Sequence, residues 1–226
     1  MNRVIAGNFL LAAMGAFLTV SQPANAAYVM PQMGGGQVGM MGAPMKHADI
    51  TFDGTNLAVH VDDTVGTPVL RPLTPPDEFD PAQPWSVLSG KAYNFQLAWN
   101  PGGFITLPSG TGIWVERLFA TPGLETYLRP PMWTSGATWT PILATDGARW
   151  QWSGSMQHNA YAMRNPTLSS YETSYRVYLG EETTGTPLLG YGSADVTWKW
   201  SATPVPEPIG ASLLLVSGML LLRRQR

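Results

Sequence analysis

The chain has 226 residues, with 13 Lys/Arg against 15 Asp/Glu, and no cysteine. Absent cysteine excludes a disulfide scaffold, so an exported form relies on packing or metal. Only 12% of residues are charged, 11% are aromatic, and 24 Gly and 20 Pro punctuate the chain, a mixture suited to short strands and tight turns.

The first residues read MNRVIAGNFLLAAMGAFLTVSQPANAA. Arg3, an apolar run to Val20 and the A-x-A pattern Ala24-Asn25-Ala26 describe a secretory signal peptide spanning 1–26. Residues 27–46 are rich in Gly and Met, without a period, and read as a flexible linker. This segment holds Met30, Met33, Met40, Met41 and Met45. Thioethers are soft ligands of the kind that select Cu(I); a low-complexity tether is the plainer reading. Residues 47–203 are expected to form one domain. From Tyr28 to Thr203 there are 14 acidic and 9 basic side chains. The resulting net charge of −5 does not attract nucleic acid or anionic lipid.

The domain opens with KHADITFDGTNLAVHVDD, Lys46 to Asp63. Asp53-Gly54 is a turn signal between two alternating runs. Ala48, Ile50 and Phe52 share one face of the first run; Leu57, Val59 and Val61 share one face of the second. Burying both sets together requires paired residue numbers with an odd sum, and a one-residue slip would bury the polar set. A loop at Asp53-Gly54 sets His47 opposite His60. A loop at Gly54-Thr55 sets His47 opposite Asp62 and Asp49 opposite His60. Both put His47, Asp49, His60 and Asp62 on one polar face, where opposed Cβ atoms are about 5 Å apart. Imidazole with carboxylate suits Zn²⁺ or another divalent ion; a solvated face with weak His–Asp pairs is the alternative. Asp53, Asn56, Asp62 and Asp63 offer oxygens of the kind Ca²⁺ takes, without EF-hand spacing. A divalent ion, Zn²⁺ or Ca²⁺, is thus a candidate cofactor.

Pro72 to Pro84, with Asp77, Glu78 and Asp80, reads as an exposed acidic loop. Ala92–Trp99 alternates as one strand, with Tyr93, Phe95, Leu97 and Trp99 on one face. Gly112–Phe119 is a second strand, and Thr121–Arg129 reads as a short helical turn. Ala148–Ser153, Thr173–Leu179 and Ala194–Ser201 are further strands, pairing Trp150 with Trp152 and Trp198 with Trp200 on core faces. His158 is far from the other histidines in sequence. No helical period marks residues 47–203, which points to an all-β, antiparallel sandwich or jelly roll. No phosphate loop, nucleophile elbow or zinc-binding histidine pair occurs, so a non-enzymatic protein is expected. Trp85, Trp133 and Trp139 lie in loop-like segments, with Trp133 and Trp139 the candidates for an exposed platform that stacks on sugar faces; loop tryptophans folded back onto the core are the plainer reading.

The C-terminal 204–226 contains Pro206-Glu207-Pro208, an apolar run Ile209–Leu222, then Arg223, Arg224 and Arg226. The run is short for a stable span, which needs about 20 residues. This order of parts resembles the PEP-CTERM sorting signal of bacterial surface proteins. That resemblance implies a transient inner-membrane precursor cut near the Pro-Glu-Pro motif by a membrane protease, exosortase. The protein is then released to the cell envelope or extracellular matrix, with exopolysaccharide as an expected ligand. The early His-x-Asp strand, middle histidine and late β-strand are loosely similar to secreted domains of the choice-of-anchor M type, a resemblance that implies no activity.

Overall fold

The computed structural model describes residues 26–130 and 138–202. Trp133, the Pro206-Glu207-Pro208 motif and the two terminal targeting segments lie outside the described residues, save Ala26. The chain is all-β: no α-helix occurs among the described residues, only two single 3₁₀ turns, Met40–Gly42 and Pro84–Leu88.

Among the described residues, thirteen strands form three sheets. The first contains β1 (Lys46–Phe52), β2 (Leu57–Val61), β5 (Leu97–Pro101) and β10 (Gln157–His158), in the order β10-β5-β1-β2. The second joins β4 (Lys91–Asn94), β7 (Leu124–Leu128), β8 (Thr140–Ile142) and β11 (Ala160–Arg164), in the order β4-β11-β7-β8. The third, ordered β3-β13-β12-β6-β9, contains β3 (Val69–Leu70), β6 (Thr111–Ala120), β9 (Arg149–Trp152), β12 (Ser170–Glu181) and β13 (Ala194–Ala202). Pairing is antiparallel except for β1 with β5 and β3 with β13, which run parallel.

All three sheets contribute to the main core. Alternation sends Ile50 and Trp99 inward from the first sheet, Tyr161 from the second, and Tyr175, Val177, Trp198 and Trp200 from the third; all are at most 1% exposed. The rings interlock: Trp99 lies 4.2 Å from Trp198, and Tyr161 lies 4.5 Å from Trp200, between centroids. Aromatic side chains of this size dominate the apolar area a core buries. The tryptophan pairs expected on core faces are there, with Trp152 buried and Trp150 half-buried.

Three sequence expectations are corrected. The run Ala92–Trp99 is two strands in two sheets, β4 and β5. Asn94 explains the break: its side-chain oxygen accepts from the Gln96 amide at 2.9 Å, a local bond that competes with the ladder. Tyr93 and Phe95 consequently enter a second apolar cluster, while Leu97 and Trp99 enter the main core. The expected helical turn at Thr121–Arg129 is strand β7. Gly123 (φ +84°) makes the turn from Thr121, and pairing with β11 then overrides the helical reading.

The third correction concerns the Gly/Met linker, which is a packed strap. Phe95 N donates to Met33 O at 3.0 Å, Arg71 Nη1 to Gly34 O at 2.8 Å, and Tyr93 Oη to Gly36 O at 3.1 Å. Gly35 sits at φ +76°, and a Cβ there would fall 2.0 Å from Tyr93 O. Glycine serves close approach here rather than flexibility.

Candidate functional site: a methionine-lined cavity beside the β1–β2 hairpin

The hairpin adopts the second of the two registers. Asp49 pairs with His60 and Ala48 with Val61; Asp62 N donates to His47 O at 2.9 Å. Asp53 N bonds Asn56 O, which closes the turn over Gly54-Thr55. Ala48, Ile50 and Leu57 are buried in the main core, so His47, Asp49, His60 and Asp62 share the opposite face, as parity requires.

Sharing a face does not bring these side chains to one ion. Asp49 accepts from Asn100 Nδ2 at 2.7 Å. Asp62 accepts from the backbone and hydroxyl of Thr64, which hold its carboxyl below the usual range. His60 is exposed and His47 half-buried. Among the described residues, no group of three or more His, Asp and Glu is placed to hold a metal. The shared divalent site expected on the hairpin is therefore corrected. Each carboxylate is engaged locally, and alternation alone accounts for the common face.

Trp139 is likewise not an exposed platform. It is 6% exposed and meets Phe95 edge-on, with centroids 6.0 Å apart. The most exposed aromatic ring among the described residues is Phe104, 95% exposed, in the loop after β5. It stands at an open groove of about 700 Å³ whose wall includes Ile105, Leu107, Thr111, Gln151 and Ser153. In sequence, Phe104 follows the turn signal Pro101-Gly102-Gly103, and no local pattern marks its ring as exposed.

The third histidine lies near the first. Ala98 on β5 pairs with His47 on β1 and with His158 on β10, so both imidazoles flank one residue on one face. His158 is 6% exposed. Its Nδ1 lies 2.8 Å from Phe95 O. A carbonyl only accepts, so Nδ1 carries the hydrogen and Nε2 presents a lone pair. That Nε2 is buried and has no hydrogen-bond partner; the same holds for His47 Nε2. Burial first, then the charges of Arg129 and His47, lower the His158 pKa to about 4, against the bond to Phe95 O, which raises it.

His158 lines a cavity of about 530 Å³ together with Met30, Met33, Met40, Met45 and Met156. The strand switch at Phe95-Gln96 builds this wall. Its backbone and side chains hold the strap at Met33 O, at Pro44 O (2.9 Å from Gln96 Nε2) and at Lys46 N. The same switch supplies the carbonyl that orients His158. Phe95 also forms part of the wall, with the Arg129 guanidinium 4.8 Å from its ring centroid. The methionines were visible in the sequence as possible soft ligands. Their convergence on His158 and Met156 was not, because it depends on the pairing of β5 with β10. No family model, curated protein or solved structure matches the chain.

Proposed function

We propose that this is an exported, non-enzymatic bacterial surface or matrix protein, sorted by an exosortase-type protease at Pro206-Glu207-Pro208. Its domain is a β-sandwich that binds exopolysaccharide weakly along the Phe104 groove. The shared aromatic core of the three sheets supports the sandwich reading. The Pro-Glu-Pro motif, short apolar run and terminal arginines support the sorting. Glycan binding rests on one observation: Phe104 is 95% exposed at an open groove that also carries Thr111, Gln151 and Ser153. A flat apolar ring beside hydroxyl and amide groups offers both halves of sugar recognition, stacking and hydrogen bonding. The acidic balance of residues 28–203 argues against nucleic acid as the partner.

Two measurements test this reading. Replacing Pro206, Glu207 and Pro208 with alanine should leave a membrane-retained chain that keeps its C-terminus by mass. Identical intact C-termini in wild type and variant overturn the sorting. In titrations with matrix polysaccharide, Phe104→Ala should weaken binding at least about tenfold, a loss of roughly 1.4 kcal/mol. Its melting temperature should hold, since an exposed side chain contributes within about 0.5 kcal/mol. Equal binding by wild type and Phe104→Ala removes the groove from the proposal.

A further inference from the structure

The methionine cavity is independent of the groove and of the sorting signal. Methionine ordinarily fills irregular gaps in cores, and Met33, 7% exposed, fits that role. Met30, Met40 and Met156 do not, being 55%, 62% and 47% exposed while they line the same cavity. Long apolar side chains held at a solvent-facing mouth contribute little burial. A second observation concerns His158, which lines the same cavity: its Nδ1 is engaged by Phe95 O, and its Nε2 carries a free lone pair, buried and unpartnered.

We propose that this cavity binds a soft monovalent metal ion, Cu(I) or its analogue Ag(I), through His158 Nε2 and thioether sulfurs drawn from Met30, Met33, Met40, Met45 and Met156. Three features select that class of ion. Thioether and imidazole are the soft and borderline donors that Cu(I) takes, whereas Zn²⁺ and Ca²⁺ favour sites with thiolate or carboxylate. The chain has no cysteine, so methionine supplies its only soft sulfur. The donors are all neutral, and Arg129 stands at the cavity wall. Its charge repels a divalent cation about twice as strongly as a monovalent one. The Nδ1–H bond to Phe95 O is the usual outer-sphere arrangement of a metal-ligating histidine, which fixes ring orientation and tautomer. The strap bonds to Phe95 and Gln96 hold Met33 and Met45 in place before any ion arrives.

The test uses the purified full-length chain. Ag(I), which undergoes no redox change, is titrated while methionine methyl resonances are followed by NMR. Cu(I) affinity is measured by competition with a bicinchoninate probe under reducing conditions. Saturation should come at about one equivalent. The methyl signals of Met30, Met33, Met45 and Met156 should shift, while Met41 and Met163, which do not line the cavity, should stay. His158→Gln, and separately Met30→Leu with Met156→Leu, should each weaken binding at least about tenfold. The Leu pair nearly conserves volume at partly exposed positions, so it tests the site even if His158→Gln does not fold. Shifts spread equally over Met41 and Met163, or equal affinity in wild type and the Leu pair, overturn the proposal. Uptake of an apolar dye without any Ag(I) or Cu(I) response also overturns it and leaves a hydrophobic pocket.

Discussion

The aromatic core and the methionine cavity both contain buried polar atoms without partners, yet they are different environments. In the core, Tyr161 Oη, Tyr175 Oη and the Nε1 atoms of Trp99, Trp198 and Trp200 are enclosed by rings carried on paired strands. His158 Nε2 is also buried without a partner, but His158 lines a cavity shared with flexible thioethers, most of them on a strap held by bonds to a strand switch. The first arrangement fixes positions on every side, and its polar tips are by-products of choosing tyrosine and tryptophan for bulk. The second leaves one side adaptable and open. An unpartnered polar atom becomes a candidate site only when access and matching donors accompany it.

The largest expected effect breaks the core. Trp198 is 1% exposed and packs against Trp99, Tyr161 and Tyr175. Trp198→Ala should cost toward 5 kcal/mol, at the upper end of the range for buried aromatic truncation. Trp139→Ala should cost nearer 3 kcal/mol, because an element edge can relax into the space. Urea unfolding of the two variants checks the order; a larger loss for Trp139→Ala would mean that the second apolar cluster, not the main core, is the more rigidly packed.

A smaller effect isolates the cavity. The folded-state pKa of His158 is lowered to about 4, while an unfolded histidine titrates near 6.5. Above pH 6.5 neither state holds the proton and the linkage vanishes. As pH falls below 6.5, the unfolded state binds a proton that the folded state refuses, so stability drops until about pH 4. Between pH 7 and 5 this amounts to about 2 kcal/mol in the metal-free protein. The groups facing His158 are Arg129 and His47, and both act in the same direction as its burial. In His158→Gln, that part of the decline should disappear, measured by urea unfolding at both pH values. An identical decline in both proteins would mean that His158 is accessible to protons when folded.

Much of the hairpin was legible because its determinants are local. Burying Ile50 and Val59 together fixes parity, and parity fixes which face His47 and Asp62 occupy. The choice between the two registers was not legible, since it turns on Asp53 accepting from the Thr55 and Asn56 amides. The core tryptophans were legible through period-2 spacing. The burial of Trp139 could not be decided from its neighbours, because polar and proline residues describe the backbone around it, whereas burial depends on Phe95, which approaches from another part of the chain. The split of Ala92–Trp99 was hidden for a related reason. Alternation continues through Phe95 and Gln96 even though the chain passes from one sheet to another, so periodicity carries no mark of the crossing. The cavity combines residues near 30–45, 129 and 156–158, and only the tertiary pairing joins them.

The place of β13 in the third sheet has a kinetic consequence. It lies between β12 and β3, and Ser201 pairs with Val69 near the other end of the domain. It also carries Trp198 and Trp200, the centre of the ring stack. A ribosome delivers the chain from its N-terminus, so the hydrophobic interior cannot close until β13 has emerged. Non-local pairings of this kind slow collapse to the native state because loop closure comes before the contacts that reward it. For a chain exported as proposed, that delay is an advantage: a polypeptide threaded through a membrane channel must remain unfolded, and this one completes its core only after β13 has crossed.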